Sequence, residues 1–189
     1  MKLITWNCNM AFRKKADRIL AYKPDIIVVP ECEHPDKIQF ASSLPKPSGQ
    51  LWFGSNRHKG LGIFAFHGYQ LKAGRNHHKD LKIIAPVTVT REQEKIKLFA
   101  IWANNPDDPD GQYVEQVWKA IHYYRRMIRK TQTILIGDFN SNSIWDRKYR
   151  TGNHTHLVSA LAKKGIQSCY HQHYKQEHGK EAAPTFYLY

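Results

Sequence analysis

Three polar signals follow apolar runs in this 189-residue sequence: Asn7 after Leu3-Ile4-Thr5-Trp6, Glu31 after Ile26 to Pro30, and Asp138 with Asn140 after Ile134-Leu135-Ile136. Strand ends in an α/β sheet converge on one crevice, so residues distant in sequence can meet there. Two carboxylates and two amides make a set of hard oxygen donors, which suits Mg²⁺ or Mn²⁺ rather than zinc. Such an ion polarises a phosphate oxygen and positions water. The asparagines can orient the phosphate or the nucleophile, and Asp138 can take a proton from the attacking water. Taken singly, each residue has a plainer reading: Asn or Asp after a strand makes a turn, and a lone Glu there is solvated. Only the joint pattern points to chemistry.

The elements that must position these residues are legible as hydrophobic patterning. Lys2 to Trp6 reads as a strand and Ala11 to Tyr22 as a helix, with Phe12, Ala16, Ile19 and Leu20 on one face and Pro24 as its stop. Asp25 to Val29 reads as a strand whose Ile26-Ile27-Val28-Val29 run is apolar without alternation, as in a strand covered on both faces, which puts Glu31 just past its end. The Pro- and Gly-containing stretch Leu44 to Gly49 reads as a surface loop. Strands are expected over Leu61–Phe66, Leu81–Thr90 and Ile96–Trp102, joined by polar segments at Arg75–Asp80 and Arg91–Glu94. A loop at Asn104–Gly111 leads into a long helix, Gln112 to Lys130, whose apolar stripe is Tyr113, Val117, Ile121, Tyr124 and Ile128. Thr133–Ile136 is another buried strand, Asn153–Lys163 a shorter helix stopped by Gly165, and Gln167–His173 and Thr185–Tyr189 read as strands.

Composition sets the class. A hydrophobic fraction of 41% with 24% charged residues excludes a disordered or collagen-like chain, and the length predicts a single globular domain. No run reaches the roughly 18 apolar residues a membrane span needs, and the N-terminus has no secretory pattern, so an intracellular, cytoplasmic protein is expected. Lys and Arg total 29 against 16 Asp and Glu, a net charge of +13 that favours polyanionic partners: nucleic acid, phosphorylated small molecules or an acidic membrane surface. Cys8, Cys32 and Cys169 have no paired spacing and read as buried, reduced thiols. Oligomeric state is not encoded in any of these patterns.

The segments Ile4-Thr5-Trp6-Asn7-Cys8-Asn9, Pro24 to Glu31, and Gly137-Asp138-Phe139-Asn140, supported by Lys59-Gly60-Leu61-Gly62-Ile63-Phe64, resemble in order and spacing the signature segments of the endonuclease/exonuclease/phosphatase superfamily with the DNase-I-like fold. The resemblance implies a four-layered α/β sandwich with two packed central β-sheets and divalent-metal (Mg²⁺ or Mn²⁺) hydrolysis of a phosphoester. By it, Glu31 is the main metal ligand and Asn7 contributes to the metal and phosphate site. Asp138 activates or positions the nucleophile, and Asn140 contacts the scissile phosphate.

Two departures bear on that implication. Many members place His or Tyr after the strand equivalent to Ile96–Trp102, whereas this chain has Asn104, which can substitute as a phosphate hydrogen-bond donor. The family closes with an Asp-Tyr strand motif and a Ser-Asp-His motif. Here Pro184 to Tyr189 stands where those segments should begin, so the domain is expected to be C-terminally truncated, lacking its last strand or strands and a catalytic His. A rival chemistry lies in His154, His156, His171, His173 and His178, which could hold a transition metal, although a mainly solvated role fits most of them better. Of these, His154 is the first choice to face a phosphate cleft. Trp6, Trp52, Trp102, Trp118 and Trp145 read first as core or rim packing, although Trp102 and Trp145 flank motif segments and can stack on a base. The leading expectation is a nuclease. A phosphatase or phosphodiesterase for a small phosphorylated or lipid head group, and a catalytically impaired nucleic-acid-binding member, are the alternatives.

Overall fold

The computed structural model describes residues 1–74, 78, 81, 84–104, 112–128 and 133–183. They fall into two compact units, one within Met1–Asn104 and Thr131–Phe139, the other within Asn105–Lys130 and Asn140–Tyr189.

The first unit holds both sheets. Strands β1 (Leu3–Thr5), β2 (Ile26–Cys32), β3 (Gly49–Asn56) and β4 (Lys59–Ala65) form one in the order β1-β2-β4-β3. Strands β5 (Gln70–Ala73), β6 (Ile84–Arg91), β7 (Glu94–Trp102) and β8 (Thr133–Asp138) form the other in the order β5-β6-β7-β8. Each sheet is mixed: β1 and β2 are parallel, β7 and β8 are parallel, and the remaining pairs are antiparallel. The sheets pack face to face through Ile26, Val28, Leu61, Ile63 and Ala65 of one and Ala85, Val87, Val89, Leu98, Ala100 and Trp102 of the other. This is the expected pair of packed central sheets.

Beyond the first sheet lies an apolar layer from its own connections. Phe12, Ala16 and Leu20 pack with Ile27, Val29, Phe64 and Phe66. The Phe12 and Phe64 rings stack at 5.5 Å. Strand β2 is therefore buried on both faces, which explains its unbroken Ile-Ile-Val-Val run. The apolar face expected over 11–22 exists, but one continuous helix does not. It divides into a 3₁₀ turn at Phe12–Lys14 and α1 (Ala16–Leu20), because Asn9, Met10 and Ala11 all take positive φ and Lys15 leaves the helical region at φ −130. The carboxylate of Glu33, 1% exposed, ties this irregular connection down. It accepts the N–H groups of Phe12 at 2.8 Å and Arg13 at 2.9 Å and the Arg13 guanidinium at 3.0 Å. Lys15 Nζ holds the Cys8 carbonyl at 2.6 Å.

Other boundaries differ in instructive ways. Strand β2 runs through Glu31 to Cys32 instead of ending before it. Strand β3 occupies 49–56, where the patterning offered only the preceding loop, since two glycines and an exposed C-terminal half weaken its alternation. The four-residue β5 is too short to register as a pattern. Within Arg75–Asp80 only His78 is described, and the loop residues 105–111 and the run Thr185–Tyr189 lie outside the described residues.

The second unit comprises α2 (Val114–Tyr123), α3 (His154–Ala162), α4 (Cys169–Tyr174) and a 3₁₀ turn at Ser143–Trp145. Val117, Ile121, Tyr124 and Ile128 are buried, but Tyr113, the first residue of the expected stripe, is exposed, and α2 ends earlier than expected. Helix α3 matches its expected span, with Asn153 capping it by accepting the His156 N–H at 2.9 Å. The segment 167–173, expected as a strand, is helical. Its Cys169, His171 and His173 alternate, but Ser168 caps the turn and accepts the His171 N–H, so local capping overrides the period-two pattern. Cys169 is accordingly exposed, whereas Cys8 and Cys32 are buried as expected. Burial pushes the Cys8 thiol up to about 12 and raises Cys32 as well. Among the described residues no helix is long and apolar enough to cross a membrane.

Two substitutions test this framework. Gly137 has φ +143, and a Cβ built on it collides with the Ile101 carbonyl, so Gly137→Ala should cost about 3 kcal/mol or more, read as a lowered urea midpoint. Burial alone would raise the Glu33 pKa, but the N–H groups of Arg13 and Phe12 and the Arg13 guanidinium bring it below the ordinary 4.5. The stability it contributes is therefore complete above 4.5 and disappears as pH falls through its lower folded value. Glu33→Gln should lose about 2 kcal/mol at neutral pH. Its unfolding free energy should also fall less steeply than that of the unsubstituted protein over that acid range.

Candidate active site

Three of the singled-out residues meet in the first unit. Asn7 follows β1, whose register on β2 is continued by the Trp6 N–H donating to the Val28 carbonyl at 3.1 Å. Asp138 is the last residue of β8, paired with Trp102. Gly137, immediately before it, allows β8 to run close against Ile101. Glu31 reaches the same place by a different device. The β2–β4 register shifts between Pro30 and Cys32, and Glu31 sits in that bulge at φ +60. A bulge re-aims a side chain that regular pleating would direct into one of two apolar layers. Pro30 has no N–H to lose at the irregularity, and the Trp52 indole donates to the Cys32 carbonyl at 3.1 Å on its far side.

The Asn7 amide nitrogen donates to Asp138 Oδ2 at 2.9 Å and reaches Glu31 Oε1 at 3.5 Å, while its oxygen accepts the Asn9 N–H at 3.1 Å. In this geometry Asn7 presents a donor to both carboxylates, not an oxygen ligand. Lys59 Nζ lies 3.3 Å from Glu31 Oε2 and 5.5 Å from the centre of the Trp102 ring. Two carboxylates this close repel one another, and the amide hydrogens and the ammonium offset that repulsion. The donor set fits a hard divalent cation in kind: two carboxylates from different strands, sharing the Asn7 amide as a neighbour, are the oxygen donors such an ion takes.

Lys59 escaped the reading of the sequence as a site residue. Its only signal was its position at the head of the Lys59-Gly60-Leu61-Gly62 segment. Asn104 is half-buried one residue beyond Ala103, whose N–H donates to the Asp138 carbonyl at 2.8 Å. Trp102 is 7% exposed and part of the core between the sheets, the packing role expected for it ahead of stacking on a base. Its indole nitrogen is buried without a hydrogen-bond partner.

Asn140 and His154 belong to the second unit. Asn140 has φ +43 two residues after Asp138. His154 opens α3 with both ring nitrogens engaged, Nδ1 with Ser141 Oγ at 2.8 Å and Nε2 with His178 Nδ1 at 2.9 Å. Burial lowers its pKa despite the neighbouring Asp146 carboxylate. Trp145, by contrast, is 57% exposed, in a run with exposed Ile144 and Tyr149.

No family model matches the sequence, and no curated protein matches it significantly. Solved structures do. The chain is similar to the endonuclease domain of TRAS1, a telomere-specific non-LTR retrotransposon, with a TM-score of 0.57 and 18% identity over 87% of this chain and 72% of that one. It is similar to TDP2 from Caenorhabditis elegans, with a TM-score of 0.56 and 16% identity over 80% of this chain, and it spans only 51% of that chain. It is also similar to D. rerio TDP2 complexed with a single-strand DNA product, with a TM-score of 0.52 and 19% identity over 94% of this chain and 71% of the other. At these identities the likeness is one of architecture, and it agrees with the two mixed four-stranded sheets and with the resemblance of the segments that contain Asn7, Glu31 and Asp138: the chain has the DNase-I-like fold.

Proposed function

We propose that this protein is a Mg²⁺- or Mn²⁺-dependent phosphoester hydrolase whose substrate is a nucleic-acid phosphodiester. The observation that carries the reading is the convergence of Glu31, Asp138 and Asn7 from three strand ends, with Lys59 beside them. The fold shared with an endonuclease domain and with TDP2 supports it.

Glu31 and a neighbouring oxygen of Asp138 would hold the ion, which supplies Lewis-acid polarisation of a phosphoryl oxygen when bound. The chain's own groups do the rest. Asn7 fixes one Asp138 oxygen by donating to it at 2.9 Å, which orients the carboxylate. An Asp138 carboxylate so oriented can align the attacking water and accept its proton. Lys59 brings a positive charge to the Glu31 side of the site, where it can neutralise a substrate phosphate. Asn104 would donate to a non-bridging phosphate oxygen, as a side chain that carries hydrogens but no charge.

Two features favour a polymeric substrate over a small one. The net charge is +13. The segment Ile144–Arg150 interleaves Arg147 and Lys148 with exposed Trp145 and Tyr149, which combines a phosphate-binding charge with faces on which bases stack.

Cleavage of a single-stranded oligonucleotide with and without Mg²⁺ tests the reading. Asp138→Asn should lower kcat by about 10²–10⁴ with little change in substrate binding, because the group acts mainly in the transition state. Glu31→Gln should weaken Mg²⁺ binding by about tenfold or more in calorimetry while circular dichroism stays unchanged. Metal-dependent turnover that survives both substitutions would place the chemistry elsewhere. Oligonucleotide affinity should fall steeply with salt, and Trp145→Ala should weaken it by about 1–3 kcal/mol. Affinity that ignores salt and Trp145, together with turnover of a small phosphodiester, would instead identify a small-molecule substrate.

A further inference from the structure

The second unit contains a cluster that the reading above does not use. One ligand atom from each of His171, His178 and Glu181 lies within 4.8 Å of the others. His171 is on α4, and His178 and Glu181 follow in the turn after it, so eleven residues of chain supply all three. His171 Nε2 is 2.9 Å from Glu181 Oε1, and the His171 and His178 rings stack at 3.6 Å and 17°. All three side chains are partly buried, inside reach of solvent.

Each of the three is held from behind. Ser168 Oγ is 2.8 Å from His171 Nδ1, which leaves Nε2 as the nitrogen facing Glu181. His178 Nδ1 is 2.9 Å from His154 Nε2, and His154 Nδ1 is 2.8 Å from Ser141 Oγ. If each Nδ1 in that relay carries the hydrogen, His178 keeps its Nε2 lone pair for a ligand. Glu181 accepts the Gly179 N–H on both oxygens, at 3.0 and 3.1 Å, and Asn142 Nδ2 at 3.2 Å. Gly179 makes this possible with φ +88, where a Cβ would strike Ser143 Oγ. Imidazoles whose far nitrogen is already hydrogen-bonded, with a carboxylate braced by N–H donors, are what metal ligands require for fixed orientation.

We propose that His171, His178 and Glu181 form a binding site for a divalent transition-metal ion of the zinc class, with an open fourth position. Two imidazoles and one carboxylate are the ligand set that zinc takes when a coordination position remains open. A tetrahedral ion with bonds of about 2.0–2.1 Å places its ligand atoms roughly 3.3 Å apart, so the His171–Glu181 pair is already close, while the stacked His171 and His178 rings must splay from their 3.6 Å separation for both lone pairs to meet at one ion. The nitrogen donors set it apart from the oxygen donors of Glu31 and Asp138: magnesium binds imidazole poorly, and zinc binds it well. The ion would also join the end of α4, the turn holding Gly179 and, through Asn142, the 3₁₀ turn at Ser143–Trp145.

Calorimetric titration of the metal-free full chain with ZnCl₂, against a weak competing chelator, tests this. With excess Mg²⁺ present to occupy the carboxylate site, one tight equivalent should bind, with affinity at least about tenfold weaker in His178→Ala and in Glu181→Gln. It should be unchanged in His173→Ala, an exposed histidine of α4 outside the cluster, and in Glu31→Gln. Co²⁺ should give the intense visible bands of a low-coordinate site, and Zn²⁺ should bleach them. Absence of stoichiometric zinc binding, equal affinity in all variants, or an equal loss in His173→Ala would overturn the proposal. If His178→Ala fails to fold, Glu181→Gln and the Co²⁺ spectrum of the unsubstituted chain decide it.

Discussion

A strand buried on both faces cannot present a charge in either direction, and the candidate active site depends on how this chain escapes that constraint. Strand β2 packs against the second sheet through Ile26 and Val28 and against the outer apolar layer through Ile27 and Val29. Regular pleating would send the next carboxylate into one of those layers at a cost of several kcal/mol. The bulge at Glu31, with Pro30 before it and the Cys32 carbonyl anchored by Trp52 after it, turns the side chain out toward Asn7 and Lys59 instead. Sheet packing and chemistry are thus reconciled by one residue at positive φ.

The same logic divides what the sequence revealed from what it hid. Apolar strands were legible because such runs leave few alternatives: Ile26–Val29, Ile96–Trp102 and Ile134–Ile136 lie in β2, β7 and the partly buried β8, and Glu31 and Asp138, which follow the first and the last, stand at the site. Features set by backbone dihedrals were not. Three successive positive φ values at Asn9, Met10 and Ala11 break a helix that its side-chain periodicity promises, and none of the three is glycine. At 167–173 a short alternating pattern lost to a serine cap. Lys59 was invisible as a site residue because a lysine before a glycine-rich strand is ordinary until Glu31 is found 3.3 Å away.

Charge is arranged differently in the two units. In the first, the acidic pair is compensated by one lysine and one amide, a local excess of negative potential within a chain of net charge +13. In the second, nitrogen donors predominate, and a guanidinium–carboxylate pair between Arg150 and Glu115 anchors the basic segment that carries Trp145 and Tyr149. Carboxylate oxygens on one unit and two imidazoles on the other would favour different cations by hardness.

The Glu33 clamp has a dynamic consequence. By accepting two backbone N–H groups of the connection after β1, a carboxylate two residues beyond Glu31 couples the loop that carries Asn7 to the strand end that carries Glu31. That tie leaves the two groups less freedom to move independently. Ordering a free backbone residue costs on the order of 1–2 kcal/mol, and here that entropy has been lost at folding, before any ligand arrives. A cation entering between the carboxylates would meet a preorganised electrostatic cage, so the heat of its binding would report direct coordination with little contribution from loop closure.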